Sequence, residues 1–472
     1  MKLAYFSPLP PQKSGISDYS EVLIPFLAKY CDIDLWVDGI NPSTTLLKKF
    51  KIIDYSRNRS IRTKLTTYDV IVYNMGNNPF YHAGMYDIFL EYPGIVILHD
   101  YVLYFLITGY YLDMKKDVVG YIHEFCYNYG YNSVESVKKI LRSTIPPLQY
   151  QSPENYPLVK RLITEAKGII VHSASTRNLI LNQGCLSSKV IQINQVNYNN
   201  ELEISERERI EIKEKYCIRP SEILITSFGY IASTKRNLQI IEVIEGILAT
   251  TPIPVKYLMV GEGNCVDGLL SENIKKTGYV SIREFEKLIL CSDIVINMRY
   301  PSMGETSATL LRGMTAGKPC IVSNIAWFSE LPDDTVVKIT TDSLNEKEEL
   351  KNALLLLLNN RAKMIEYGRN ARSFTLRFHD PDTIAKNMIN FFTNCYEIKD
   401  NFSKDYIDLH DNRMNELGLK KDTSSFIRDY RKNQCERIKD IEIITPNTRY
   451  PEKKLVKRLT DIFFYQSKEK NV

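Results

Sequence analysis

None of the nine cysteines forms a C-x-x-C pair; they stand singly at positions 31, 126, 185, 217, 265, 291, 320, 395 and 435. An odd, scattered set argues against a disulfide framework and reads as the reduced thiols of a cytoplasmic protein. No apolar run reaches the length of about 20 residues that a spanning helix needs. The chain opens on MKLAYFSPL, with no charged segment ahead of an apolar one, so no signal peptide is expected. Strong charge of one sign is missing too. Lys and Arg number 61 against 56 Asp and Glu, a formal net charge of +5, which is too mild to point to a nucleic-acid binder. His82, His123, His172, His379 and His410 show no metal-ligand spacing, and no metal is expected. The segment VGEGNC (260–265) lacks the third glycine of the dinucleotide fingerprint, which argues against a nicotinamide or flavin cofactor.

What is present is the composition of a globular protein, 44% hydrophobic and 25% charged over 472 residues, too long for one ordinary core. Short apolar runs near 3–7, 33–37, 69–75, 94–99, 168–173 and 190–193 alternate with helical stretches. A second series follows near 223–230, 255–261, 277–280, 293–299, 319–323 and 336–340. Such alternation predicts βαβ units and parallel sheets. The charged stretch 201–216 between the series divides the expected α/β architecture into two doubly wound domains, 1–200 and 201–397. The tyrosine-rich stretch 101–160 reads as a helical insertion, and 380–397 as a closing helix. Residues 398–472 read as a charged helical extension. Within it, 449–470 sets Leu455, Val456, Leu459, Ile462 and Phe463 at helical spacing among Lys453, Lys454, Lys457, Arg458 and Lys468. That pattern suits a membrane surface, or packing on the protein itself or on a second copy.

In doubly wound folds ligands sit at the carboxyl ends of the strands. After the first run comes SPLPPQKSGISDYS (7–20), a stiff loop in which Gly15 allows close backbone approach and Ser17 or Asp18 is a candidate helix cap. His99 and Asp100 stand where the fourth run ends. In SFGYIASTKRN (227–237), Gly229 is followed by Lys235 and Arg236 near a helix start, a pattern that suits phosphate. The stretch YPSMGETSATLLRGMTAGKP (300–319) reads as a loop, a helix capped by Thr306 or Ser307, and a stop at Gly317 and Pro319. A helix N-terminus attracts an anion, whereas the neighbouring Glu305 suits sugar hydroxyls. A ligand with phosphate on one side and hydroxyls on the other would use both.

These stretches, with LHDYVL and TGYVSIREFEKLILCSDIVINMR, resemble the retaining glycosyltransferases of the GT-B fold, family 4, over about residues 1–397. The resemblance implies two Rossmann-like domains facing across a cleft, a nucleotide-sugar donor on the second, an acceptor on the first, and no required cofactor or metal. By position it implies that the Gly15 loop approaches donor phosphate and acceptor, and that His99 sits by the transferred sugar. Lys235 would meet the leaving diphosphate. The backbone at Tyr279 and Val280 would border the nucleobase. Glu305 would bind sugar hydroxyls, with the amides of Thr306 and Ser307 on phosphate. Two positions depart from the family. Arg312 takes the place of a second glutamate, and Tyr230 that of a phosphate-binding arginine; Arg236 or Arg299 could supply the missing charge. The opening loop is similar to that of bacterial surface-polysaccharide mannosyltransferases, which suggests GDP-mannose as donor and a glycan or lipid-linked acceptor. A non-catalytic subunit of a glycan-assembly complex and a sugar-nucleotide epimerase are the alternatives.

Overall fold

The computed structural model describes residues 1–198 and 203–397. The expected extension 398–472, with its basic amphipathic segment 449–470, lies outside the described residues. Two parallel sheets organise the rest. The first holds β1 (Lys2–Phe6), β2 (Asp32–Val37), β3 (Lys51–Asp54), β4 (Val70–Met75), β5 (Ile95–Leu98), β6 (Gly168–Val171) and β7 (Val190–Gln192), in the order β3-β2-β1-β4-β5-β6-β7. The second holds β8 (Ile223–Phe228), β9 (Val255–Val260), β10 (Ile274–Lys276), β11 (Ile294–Asn297), β12 (Cys320–Ser323) and β13 (Val337–Ile339), in the order β10-β9-β8-β11-β12-β13. This is the two-sheet α/β architecture the sequence predicts. All the pairings within the sheets are parallel, as in Leu3 opposite Ile33 and Val70, or Ile225 opposite Tyr257 and Ile294.

The strands are near-continuous Val, Ile and Leu because helices cover both faces. Ile225, Tyr257, Ile294 and Ile321 pack with Ile240, Ile244, Leu350 and Leu354 in one core cluster. Each such side chain contributes about 1.5–3 kcal/mol on burial.

Two local expectations need correction. Residues 277–280 are not a strand: β10 stops at Lys276, and Thr277–Val280 form the loop beyond its carboxyl end. Gly278 has φ +72°, which a strand does not accommodate. The first helix, Gly15–Leu27, is capped by Ser14, whose Oγ accepts from Ile16 N, and not by Ser17 or Asp18.

The chain divides into two compact units. One comprises Met1–Gly76, Pro93–Tyr101 and Ala166–Phe392 and carries both sheets. Its closing helix, Pro381–Glu397, returns to the first sheet's side, where Lys29 Nζ donates to Asp382 at 2.8 Å. The other comprises Asn77–Tyr92 and Val102–Glu165, with 393–397 of the described residues. It is the expected helical insertion, joined by the helix Pro79–Glu91. Its interior is tyrosine-rich, and fully buried Glu124 accepts from Arg161 Nε at 2.5 Å and from Tyr111 Oη at 3.1 Å. Among the described residues no helix is long and apolar enough to cross a membrane.

Candidate functional site at the strand ends

In the second sheet, β8 lies between β9 and β11, so the connections on its two sides run in opposite directions. A crevice opens at the carboxyl ends of strands at such a point. Here it is lined by Gly229, Tyr230, Lys235, Asn237, Asn297 and Met298. The lining depends on close backbone approach. Gly261 has φ +156°, and a Cβ there would lie 2.0 Å from the Gly229 carbonyl oxygen. Gly261 and Gly263 of VGEGNC therefore allow the β8 and β9 loops to pack closely.

Lys235 ends a short turn, Ser233–Lys235, ahead of the helix Asn237–Thr250. A methyl group on Gly229 would stand 3.5 Å from its Nζ. Among the described residues, none accepts a hydrogen bond from that ammonium. Desolvation, followed by repulsion from Arg299, lowers its pKa to about 7, with Glu305 opposing. Arg236, its neighbour, is committed elsewhere: its Nε donates to Glu346 Oε1 at 2.8 Å, and a second nitrogen reaches Glu346 Oε2.

The loop after β11 supplies the acid. Glu305 accepts from Arg299, from Met303 N at 2.6 Å and from Ser302 Oγ at 3.3 Å. The Arg299 guanidinium is its main stabilising partner and, against the cost of burial, holds the carboxyl below the usual range. Ser307 caps the helix Ala308–Thr315 as expected, its Oγ accepting from Leu310 N at 3.2 Å. Gly317, just past that helix, has φ +71°. Thr306 Oγ1 donates to Gln195 at 2.7 Å. Three further contacts join this loop to segments of the first sheet: Tyr101 N to Met303 O at 2.9 Å, Thr176 Oγ1 to Gly304 O at 2.9 Å, and the close fit of Gly304 on Tyr101. Gly304, at φ +79°, has no room for a Cβ, which would lie 2.4 Å from that of Tyr101.

The first sheet contributes an edge rich in aromatic and imidazole rings. His99 is buried, with Nε2 3.2 Å from Asn74 Oδ1, and its ring packs 4.8 Å from Tyr19 and 5.1 Å from His172. Burial lowers His172 to about pKa 4. Gly15 begins its helix with no atom within 4 Å of where a Cβ would stand. One turn on, Asp18 accepts from Arg312 at 3.1 Å. Arg312 also donates to Glu286 at 3.1 Å and lies 4.1 Å from the Tyr198 ring centre. Tyr279 is exposed, with Lys13 Nζ 3.5 Å from its ring centre, and Val280 beside it is partly buried.

The structure thus brings Gly229, Lys235, Arg299 and Glu305 together, with Thr306 and Ser307 on the same loop. Asn297 was not foreseen. Its Nδ2 donates to Thr309 at 2.8 Å, while its buried Oδ1 has no hydrogen-bond partner among the described residues. An asparagine ending a run of Ile and Val was the available signal. Asn74, Gln195 and Glu346 carried none, because their partners lie 25 to 111 residues away.

Residues 208–374 match the family model described as "Glycosyl transferases group 1". That match spans about a third of the chain. An uncharacterized glycosyltransferase of Methanocaldococcus jannaschii, MJ1069, is 26% identical over 226 residues, covering 46% of this chain and 55% of its own length. The chain therefore spans about half the length of that curated relative. Among solved structures, Anabaena Alr3699/HepE in complex with UDP and glucose has a TM-score of 0.57 at 15% identity, over 83% of this chain and 99% of that one. A glycosyltransferase of Rickettsia africae gives 0.58 at 14% identity, over 84% and 99%. WaaG, a glycosyltransferase involved in lipopolysaccharide biosynthesis, gives 0.54 at 14%, over 82% and 99%. At these identities the likeness shows the GT-B fold.

Proposed function

We propose that the protein is a family 4 retaining glycosyltransferase that moves a sugar from a nucleotide diphosphate sugar to a glycan or lipid-linked glycan, in the cytoplasm or at the inner membrane face. The observation that carries this reading is the ammonium of Lys235 in the crevice between β8 and β11, which has no hydrogen-bond acceptor among the described residues. An unpaired, partly desolvated cation at a topological switch point has an anion as its natural complement. Anabaena HepE in complex with UDP-glucose supports the donor class. The sequence's leaning to GDP-mannose rests on the opening loop alone.

In the proposed reaction the bond between sugar C1 and the diphosphate oxygen breaks as the acceptor oxygen bonds to C1 from the same face. The acceptor's proton passes to the departing diphosphate oxygen. Charge builds on that leaving group. Lys235 and the N-terminus of the helix Ala308–Thr315 stabilise it without reorganising, the condition under which electrostatic catalysis is strongest. Glu305, kept ionised by Arg299, accepts from the sugar hydroxyls, and His99 borders the sugar. No residue of this set requires a metal.

A second reading, a non-catalytic subunit, is favoured by Arg312 and Arg236, whose guanidiniums are both held by carboxylates. Incubation with UDP-, GDP- and ADP-sugars, followed by assay of released nucleoside diphosphate, separates the readings. Release from one base class, lost in Lys235→Ala, is the expected result. Binding without release would favour the subunit, and conversion of the sugar nucleotide without release would favour an epimerase.

A further inference from the structure

Arg236 is the only non-glycine residue in the left-handed region at the crevice rim, with φ +58° and ψ +24°, among the described residues. A side chain there costs about 1–3 kcal/mol and persists only where its surroundings over-determine it. Its surroundings do. Glu346, 1% exposed, holds the guanidinium through both oxygens. Glu346 opens the helix Glu346–Asn359, whose Leu350, Leu354 and Leu357 pack against Ile240, Ile241 and Ile244 of the helix that follows Arg236. Arg236 N donates to Ser233 O at 3.0 Å, and Lys235 N to Ala232 O at 2.9 Å. Thr234 O accepts from Tyr300 N at 2.9 Å, which ties the same turn to the loop carrying Arg299 and Glu305. The backbone that aims Lys235 is thus closed between a strained residue and its clamp.

We infer that Glu346 is a positioning residue that, by clamping Arg236, fixes the turn aiming Lys235 into the crevice. Arg236 is then a strut and not a phosphate ligand. The inference rests on the proposed donor site for its functional meaning, while its geometry stands on this chain alone. Removing the charge of buried Glu346 leaves a partly buried guanidinium uncompensated, which is the costly way to break such a pair. The turn relaxes, and Lys235 moves toward water. Glycine at 236 adopts φ +58° without a clamp and removes the guanidinium, so Glu346→Gln combined with Arg236→Gly restores the turn.

The test is competitive acetylation of the full-length protein over pH 5–11, with mass spectrometry of the Lys235 peptide, on wild type, Glu346→Gln and the double variant. The charged groups facing Lys235 are Arg299 and Glu305. Loss of a negative charge at 346 by itself would lower the Lys235 midpoint; displacement into solvent raises it. We expect a rise of at least one pH unit in Glu346→Gln and a return toward wild type in the double variant. Affinity for the nucleoside diphosphate that binds best should fall about tenfold in the single variant and mostly recover in the double. An unmoved or lowered midpoint in Glu346→Gln overturns the inference, as does a double variant that binds no better than the single. A raised and rescued midpoint in a protein that binds no nucleotide would uphold the positioning role and refute the donor site.

Discussion

The two sheets end in opposite kinds of chemistry. At the edge of the second, Lys235, Arg299 and Glu305 bring three charges together, and Lys235 has no hydrogen-bond acceptor among the described residues. At the edge of the first, His99, Asn74, Tyr19 and His172 form a ring-rich group of buried side chains. Fixed charge held out of water is poised to meet ligand charge, whereas uncharged rings shape a surface for an apolar or hydroxyl-bearing face. On the proposed function, the anionic half of a nucleotide sugar would meet the second sheet and the sugar or acceptor side the first.

The sharpest way to break the contrast is to remove the unpaired cation. Lys235→Ala should lower turnover at least about a hundredfold, the scale of one transition-state contact, as read by nucleoside diphosphate release. Wild-type affinity for nucleoside diphosphate should fall by up to about tenfold per unit as pH rises above about 7, because the ammonium deprotonates there. The variant should show a flat profile by calorimetry. Next, Glu305→Gln removes the acid that neutralises Arg299. Turnover should fall about tenfold to a hundredfold, with nucleoside diphosphate alone binding as well or better.

The buried histidines predict an acid weakness. His172 titrates near pH 4 in the folded protein against about 6.5 when unfolded. Between those values the unfolded chain binds more protons, so stability is full above about pH 6.5 and is lost as pH falls toward 4. His379, also lowered to about 4 by burial, adds to the same loss. His172→Gln should flatten part of this slope in urea titrations at pH 7.5 and 5. The smallest functional effect is expected from Asn74→Ala, which removes one partner of His99: turnover down a few-fold, donor binding little changed, and stability lower by about 1–3 kcal/mol.

How much of this was legible in the sequence follows from the range of each interaction. Strands such as Val70–Met75 and Ile294–Asn297 announce themselves because burial on both faces demands unbroken Val and Ile. Ser307 was readable as a cap because capping is settled within three residues. The strand Lys51–Asp54 was missed, being four residues long with only Ile52 and Ile53 apolar. Thr277–Val280 has strand-forming residue types, but tertiary context placed them beyond the strand's end. Lys235 and Arg236 looked alike as adjacent cations. Only the fold brings Glu346 to one of them, and no local pattern marks a partner 110 residues away. The departure at Arg312 was plain in the sequence, while its pairing with Asp18 and Glu286 was not, for the same reason.

The central claim is that the second sheet's edge holds a nucleoside diphosphate on Lys235. Thermal unfolding of the wild type and of Lys235→Ala, each with UDP, GDP and ADP and their sugars, tests it most directly. At about 100 times its Kd a ligand adds roughly 2.7 kcal/mol to the folded state. The account predicts a clear rise in Tm with one base class and its loss in the variant. No rise with any nucleotide, or a rise that survives Lys235→Ala unchanged, would contradict it.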